Sequence, residues 1–238
     1  MLITTKAIVI SALKYGDNSL IVKCYTEIAG IKTYLLKSIL SSRKGKIKAA
    51  YFQPLTQLEI VANHKNKGTL EYIREVKISC PYHHVHTDIK KNAIALFLSE
   101  MLNAVLQEEE KDKALFIYLE EALQWFDANE EIANFHIVFL LNLTKYLGFY
   151  PDVSNSEYPY FDLLEGAFTK RLSLNSITGE ELKTFNQALG IIFDDINTIK
   201  LTKTSRQSLL NVIINYFRLH LQEFNKPRSL SVLHEVFS

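Results

Sequence analysis

The spacing of apolar residues changes character once along the chain, at Cys80-Pro81, and that change constrains the fold more than any other feature. Before it, apolar runs are short, rich in β-branched and aromatic residues, and separated by turn-forming residues, the pattern of strands. Strands are expected near Lys6–Leu13, Ser19–Thr26, Gly30–Lys37, Tyr51–Val61 and Thr69–Ile78. Breaks fall at Tyr15-Gly16-Asp17-Asn18, Ala29-Gly30, Ser41-Ser42-Arg43-Lys44-Gly45 and Asn63-His64-Lys65-Asn66-Lys67-Gly68. Pro54 lies inside the fourth run, so that run should begin at an edge or a bulge, because proline cannot donate to a ladder.

After Cys80-Pro81 the period lengthens to that of a helix. Leu115, Leu119, Ala122, Leu123 and Phe126 line one helical face,. Ile132, Phe135, Phe139, Leu143 and Tyr146 line a second, stopped by Gly148 and Pro151,. Leu210, Ile213, Ile214, Phe217, Leu221 and Phe224 form a third, ending before Pro227. Asp88–Leu106 is so apolar around Ala93–Leu98 that a central, buried helix is expected,. Residues 151–177, with Pro159, Gly166 and scattered aromatics, read as an irregular insertion with room for a small hairpin. The expected architecture is therefore α+β with two domains. An all-β barrel occupies residues 1–80 and an all-α helical domain residues 81–238. Five short strands in eighty residues suit a closed or partly closed barrel, for which the OB-fold is the common nucleic-acid-binding solution.

Charge divides at the same place. Residues 1–80 carry 13 basic and five acidic groups (+8), and residues 81–238 carry 14 basic and 21 acidic groups (−7). A basic module facing a polyanion, joined to an acidic body, is the expectation. No apolar run exceeds six residues, against the roughly twenty of a spanning helix, and the N-terminus lacks a signal-peptide pattern,. Cys24 and Cys80 are too few for a disulfide framework,. A soluble protein of a reducing, cytoplasmic compartment is expected, with no membrane partner.

Enzyme signatures are missing: G-x-G-x-x-G, G-x-x-x-x-G-K-[ST], G-x-S-x-G and H-E-x-x-H do not occur,. Adjacent carboxylates such as Asp194-Asp195 and Glu180-Glu181 diverge, and Glu108-Glu109-Glu110 reads as a solvated helix end,. Cys80, His83 and His86 are the one metal-like group, yet no second ligand pair follows, and an interdomain linker is the simpler reading,. No catalytic residue, cofactor or metal is assigned.

Nucleic-acid binding has more support. From Ile28 to Leu58 there are six basic residues (Lys32, Lys37, Arg43, Lys44, Lys46, Lys48) and no acidic one. Four of them crowd the loop Ser41–Lys48, where phosphate contact would release counterions,. Lys23 and Tyr25 on the second strand, and Lys32 and Tyr34 on the third, are each expected on one face, ready for stacking beside a cationic track,. Leu20, Val22, Cys24, Ile31, Thr33 and Leu35 would then fill the barrel.

With these residues identified, the chain resembles the RecO recombination mediators over nearly its whole length. The shared marks are Tyr15–Val22, Tyr25-Thr26-Glu27-Ile28-Ala29-Gly30, Leu36-Lys37 with the basic loop, and Phe52-Gln53-Pro54-Leu55. Later come Ser99-Glu100-Met101-Leu102, Leu147–Asp152, Thr204-Ser205-Arg206 and Lys226-Pro227-Arg228-Ser229-Leu230. The resemblance implies a non-catalytic protein of DNA repair, damage response and recombination, with an OB-fold that binds single- and double-stranded DNA. It implies strand annealing, and help to RecA in replacing single-strand-binding protein, together with RecR. The DNA-contacting positions map onto Lys37, Arg43, Lys44, Lys46 and Lys48.

It also implies a groove in the helical domain for the acidic, apolar tail of single-strand-binding protein, with Lys145, Arg206 and Arg218 as candidate rim cations. Relatives often carry arginine just before the aromatic at Phe135, whereas this chain has Asn134. Many relatives also carry a four-cysteine zinc ribbon after Leu147-Gly148-Phe149. Residues 151–177 contain no cysteine, and Tyr158, Tyr160, Phe161 and Phe168 are expected to form an aromatic core in its place,. Two rival functions stay open on the residues alone. One is an OB-fold RNA-binding module with a helical protein-interaction domain, and the other is an enzyme using His136 or His220.

Overall fold

The computed structural model describes residues 2–41, 47–64, 70–106 and 111–237. Five antiparallel strands come first: β1 (Leu2–Tyr15), β2 (Ser19–Thr26), β3 (Gly30–Leu36), β4 (Gln57–Asn63) and β5 (Tyr72–Cys80). Their order in the sheet is β3-β2-β1-β4-β5. The sheet curls until its edges meet at a single parallel bridge between Tyr34 and Glu71. There Leu35 N–H donates to Glu71 O (2.8 Å) and Glu71 N–H donates to Thr33 O (3.0 Å). This is the OB-fold connectivity, but the β3–β5 seam is stitched at one point rather than along a ladder. The expected barrel is thus only partly closed.

The fourth expected run is shorter than read. Ala49–Phe52 is a turn of 3₁₀ helix, and β4 starts only at Gln57. Between them the chain turns at Pro54-Leu55, with Leu55 at φ 62°, a costly region for a branched side chain,. Leu55 N–H donates to Val9 O (2.8 Å) and Val9 N–H to Thr56 O (3.0 Å), which fixes that turn on β1. Ala7, Val9, Val22, Cys24, Tyr34, Leu36, Phe52, Leu58, Ile60, Ala62 and Ile73 fill the interior.

Helices α1 (Ile89–Val105) and α2 (Lys113–Ala128) follow. Compactness divides the chain elsewhere than periodicity does, because one unit comprises residues 1–128 with 227–233 and the other residues 129–226 with 234–238. In the first unit α1 lies against β1. Asp88 caps α1 by accepting the Lys91 N–H at 2.9 Å. Lys6 Nζ meets Glu120 of α2 at 2.8 Å. The segment read as an interdomain linker is a clasp inside this unit. His83, His84 and Val85 donate their backbone N–H groups to the Asp127 carboxylate at 2.8–3.0 Å. Burial pushes that carboxyl up, but those three donors and Lys91 outweigh it and hold it below the ordinary range,.

In the second unit, α3 (Phe135–Tyr146) buries nine of its twelve residues, against ten of seventeen for α1. Both helices are enclosed on most sides: beyond Lys90, α1 exposes only Asn92 and Asn103, as expected for Asp88–Leu106, and α3 is enclosed still further. Residues 151–177 form a small sheet, order β7-β6-β8, from β6 (Tyr160–Asp162), β7 (Ala167–Thr169) and β8 (Ser176–Ile177). Helix α4 (Gly179–Ala188) and helix α5 (Lys203–His220) pack with α3. A last short helix, α6 (Leu230–Val236), ends the described chain. No helix is long and apolar enough to cross a membrane among the described residues.

Candidate nucleic-acid interface

Side chains alternate along a strand, so one buried residue fixes the face of its neighbours. On β2, Val22 and Cys24 point inward as expected, which leaves Lys23 and Tyr25 outward. On β3 the faces are reversed: Tyr34 and Leu36 enter the core, and Thr33 and Leu35 face out. Neither tyrosine offers a stacking surface. Tyr25 lies beneath the start of α2, its hydroxyl donating to Asp112 O (3.1 Å) and its ring 6.0 Å from Phe116. Tyr34 bonds His64 Nε2 at 2.8 Å inside the barrel, and burial drives its hydroxyl pKa far upward. Burial, followed by the Lys32 charge, lowers His64 against the raising effect of Glu71. Lys23 and Lys32 are half-buried beside these core residues.

The exposed cations sit at the loop stems. Lys37 follows β3 directly and Lys48 precedes the 3₁₀ turn, both exposed. Arg43, Lys44 and Lys46 lie outside the described residues. The stems themselves are anchored. Ser38 adopts φ 56°, Ile39 is buried, and Leu40 N–H donates to Asn18 O at 3.0 Å. On the return side, Ile47 and Ala49 pack against the core. The described residues on either side of the basic run are thus fixed, Leu40 beside the β1–β2 turn and Ile47 and Ala49 on the core.

Sequence reasoning passed over one exposed aromatic–cation pair. Tyr72 and Arg74 of β5 share the outer face, since Ile73 between them is in the core. Their i, i+2 spacing is the same signal used for Lys23 and Tyr25, and it was legible in the sequence.

The three proposed partner-site cations are not brought together. Arg206 and Arg218 are twelve positions apart on α5, about 18 Å at 1.5 Å per residue,. Lys145, at the end of α3, bonds Asn142 Oδ1 (2.7 Å) and lies over the Tyr150 ring at 4.7 Å. Arg218 Nη2 bonds Asn215 Oδ1 at 2.8 Å. Arg206 lines a cleft of about 510 Å³ with Lys200, Glu131, Asn134, Ile196, Ile199 and Leu201. Its Nε donates to Asn134 Oδ1 (2.9 Å) and its Nη2 to Leu201 O (3.2 Å), while Asn134 Nδ2 donates to Ile199 O (2.7 Å).

The histidines of the enzyme reading are packed. His136 is buried within α3, and burial, then Arg206 and His234, push its pKa down to about 3. His220 Nε2 bonds Leu163 O at 2.9 Å, and its ring stacks on Phe149 at 5.1 Å. Cys80 is half-buried, His83 is exposed, and His86 Nε2 bonds Thr56 Oγ1 at 3.1 Å. Among the described residues no three His, Cys, Asp or Glu side chains are grouped to hold a metal.

The small sheet does not fit a thiolate zinc site either. Its centre is Phe161, with Phe168 at 5.0 Å and Phe185 at 4.8 Å, backed by Tyr216 at 6.2 Å. Of the four aromatics expected there, Tyr158 and Tyr160 are not part of that centre: both are half-buried, and Lys170 lies over the Tyr158 ring. Asp162 ties the knuckle by accepting from Leu164 N–H, Glu165 N–H and Ser173 Oγ. Gly166 has φ 67°, and a Cβ there would stand 2.8 Å from the Tyr216 hydroxyl, so glycine is required,.

Comparison with known proteins agrees with this architecture. Family models described as recombination protein O N terminal and recombination protein O C terminal match residues 1–82 and 86–230. The chain belongs to the RecO family. A relative from Flavobacterium psychrophilum, called DNA repair protein RecO, is 52% identical over 238 residues, covering all of both chains. RecO proteins of the same name from Flavobacterium johnsoniae and Bacteroides fragilis are 49% and 36% identical, again over the full length of both chains.

Proposed function

We propose that this RecO-family chain is a non-catalytic recombination mediator. It binds single- and double-stranded DNA, anneals complementary strands, and assists RecA loading onto DNA coated with single-strand-binding protein, together with RecR. The observation that carries the reading is the run of Lys37, Arg43, Lys44, Lys46 and Lys48 in the sequence, whose described flanking residues are anchored on an OB-fold. Annealing requires two polyanions to approach, and a module of charge +8 screens that repulsion without reading bases,. Catalysis has no support from His136 or His220, which are both engaged in packing.

The tail of single-strand-binding protein is assigned to the cleft at Arg206. Ile196, Ile199 and Leu201 supply apolar wall, and Arg206 and Lys200 supply cations for a carboxylate, with Glu131 opposing them in part,. Asn134, standing where relatives often carry arginine, fixes the guanidinium of Arg206.

The test is annealing of complementary strands precoated with single-strand-binding protein, with and without the coat protein's C-terminal tail. Tail-dependent acceleration that is lost in Lys200→Glu is expected. No acceleration despite tight binding to bare DNA would overturn the mediator reading, and tighter binding to RNA of equal length would reassign the substrate.

A further inference from the structure

We propose that Tyr72, flanked by Lys37 and Arg74, is a stacking platform for an unpaired nucleobase, which makes the outer face of the β3–β5 seam a single-strand binding site. The inference rests on the nucleic-acid reading of the barrel and adds to it the residue that distinguishes single strands from duplex.

The helices of the first unit already cover much of the barrel's outer surface. Helix α1 lies against β1, and α2 lies over Tyr25 of β2 and over Lys6 and Gln57 of β1 and β4. The seam between β3 and β5 presents a different surface. Tyr72 is 42% exposed there, while Tyr25 and Tyr34 are buried at 1% and 0%. The Lys37 ammonium stands 5.6 Å from the centroid of its ring. Arg74 shares its face, Leu35 is half-buried on β3, and Leu70, two residues before the tyrosine, is exposed. The one carboxylate at the bridge, Glu71, is turned inward and buried, whereas Glu75 is exposed past Arg74 at the β5 bulge.

The backbone that carries the ring is paired on both sides, which lowers the ordering cost of binding,. Tyr72 pairs with Asn63 across β4, and its neighbour Glu71 forms the bridge to Tyr34. Tyr15, the other strongly exposed tyrosine of the barrel, ends β1 at the Gly16 turn, and among the described residues no cation lies over its ring. An exposed aromatic ring at the start of β5, with Lys37 (one residue beyond β3) 5.6 Å from its centroid and Arg74 two residues on along the same face, matches the chemistry of single-stranded nucleic acid. A base stacks on the ring while its flanking phosphates meet Lys37 and Arg74. Bases in a duplex are already stacked and paired, so the ring gives duplex nothing.

The test uses the full chain, fluorescence anisotropy, and a labelled oligo-dT, a duplex and an abasic strand of equal length. Tyr72→Ala should weaken oligo-dT binding about tenfold, Tyr72→Phe should retain it, and both should bind duplex and abasic strand as the unaltered chain does. Unchanged oligo-dT affinity in Tyr72→Ala overturns the platform. Equal loss on all three ligands assigns Tyr72 a structural role and also overturns it. If Tyr72→Ala does not fold, Tyr72→Trp decides, because its added emission over that of Trp125 should be quenched by oligo-dT and not by duplex. Absence of quenching counts against the platform. If the unaltered chain binds none of the three strands, the nucleic-acid reading itself falls.

Discussion

Single buried groups set how this chain responds to pH. His136 is held neutral by burial and by Arg206 and His234, with its pKa pushed down to about 3. In the unfolded chain the imidazole binds its proton near pH 6.5. Between those values the unfolded state carries the extra proton, so stability is full above about pH 6.5 and falls as pH drops toward 3. The slope from this one group approaches ~1.4 kcal/mol per pH unit. Urea unfolding from pH 4 to 7 should show that slope, and His136→Leu should reduce it by about one proton; an unaltered slope would mean the ring titrates normally. Residue roles were only partly legible in advance. Tyr25 and Tyr34 carry the same aromatic-near-cation spelling as Tyr72 with Arg74, yet the first two are buried, one under α2 and one in the barrel, and Tyr72 is exposed. Spelling gives the period of a strand, but what covers each face is decided by other elements.

Elements were legible where burial is one-sided and regular. β2 and β3 begin where their turn residues place them, at Ser19 and Gly30. Helix α4 escaped notice because only Thr184, Phe185 and Ala188 of its ten residues are buried, too few to make a stripe. The start of β4 was misplaced because Phe52 and Leu55 are buried in a turn rather than in a ladder. Within residues 151–177 the aromatics were legible but their partners were not, since Phe185 and Tyr216 come from α4 and α5. Phe161 is completely buried, so Phe161→Ala should cost about 3–5 kcal/mol, read as a lowered urea midpoint,. A chelator should leave the melting temperature of the unaltered chain unchanged. One stoichiometric zinc per chain, with melting lowered on its removal, would refute the aromatic core as its substitute.

At the scale of the whole molecule, the division of charge organises the expected behaviour. With +8 on residues 1–80 and −7 on the remainder, polyanion contact is expected at residues 1–80,. Reversing Arg43, Lys44 and Lys46 together should weaken DNA binding and flatten the plot of log affinity against log salt. If each meets one phosphate, the slope should change by about three. Affinity retained with the same salt slope would show that the loop is not the contact. The sequence by itself determined the β-then-α order, the charge division and the basic loop, because periodicity, net charge and turn chemistry are local properties. Only the tertiary structure decided that the barrel closes at one bridge, Tyr34–Glu71, that Arg206 and Asn134 meet across 72 residues, and that Tyr72 stays exposed. Those outcomes depend on which distant surfaces pack together, and packing partners are not encoded in the spacing of any one segment.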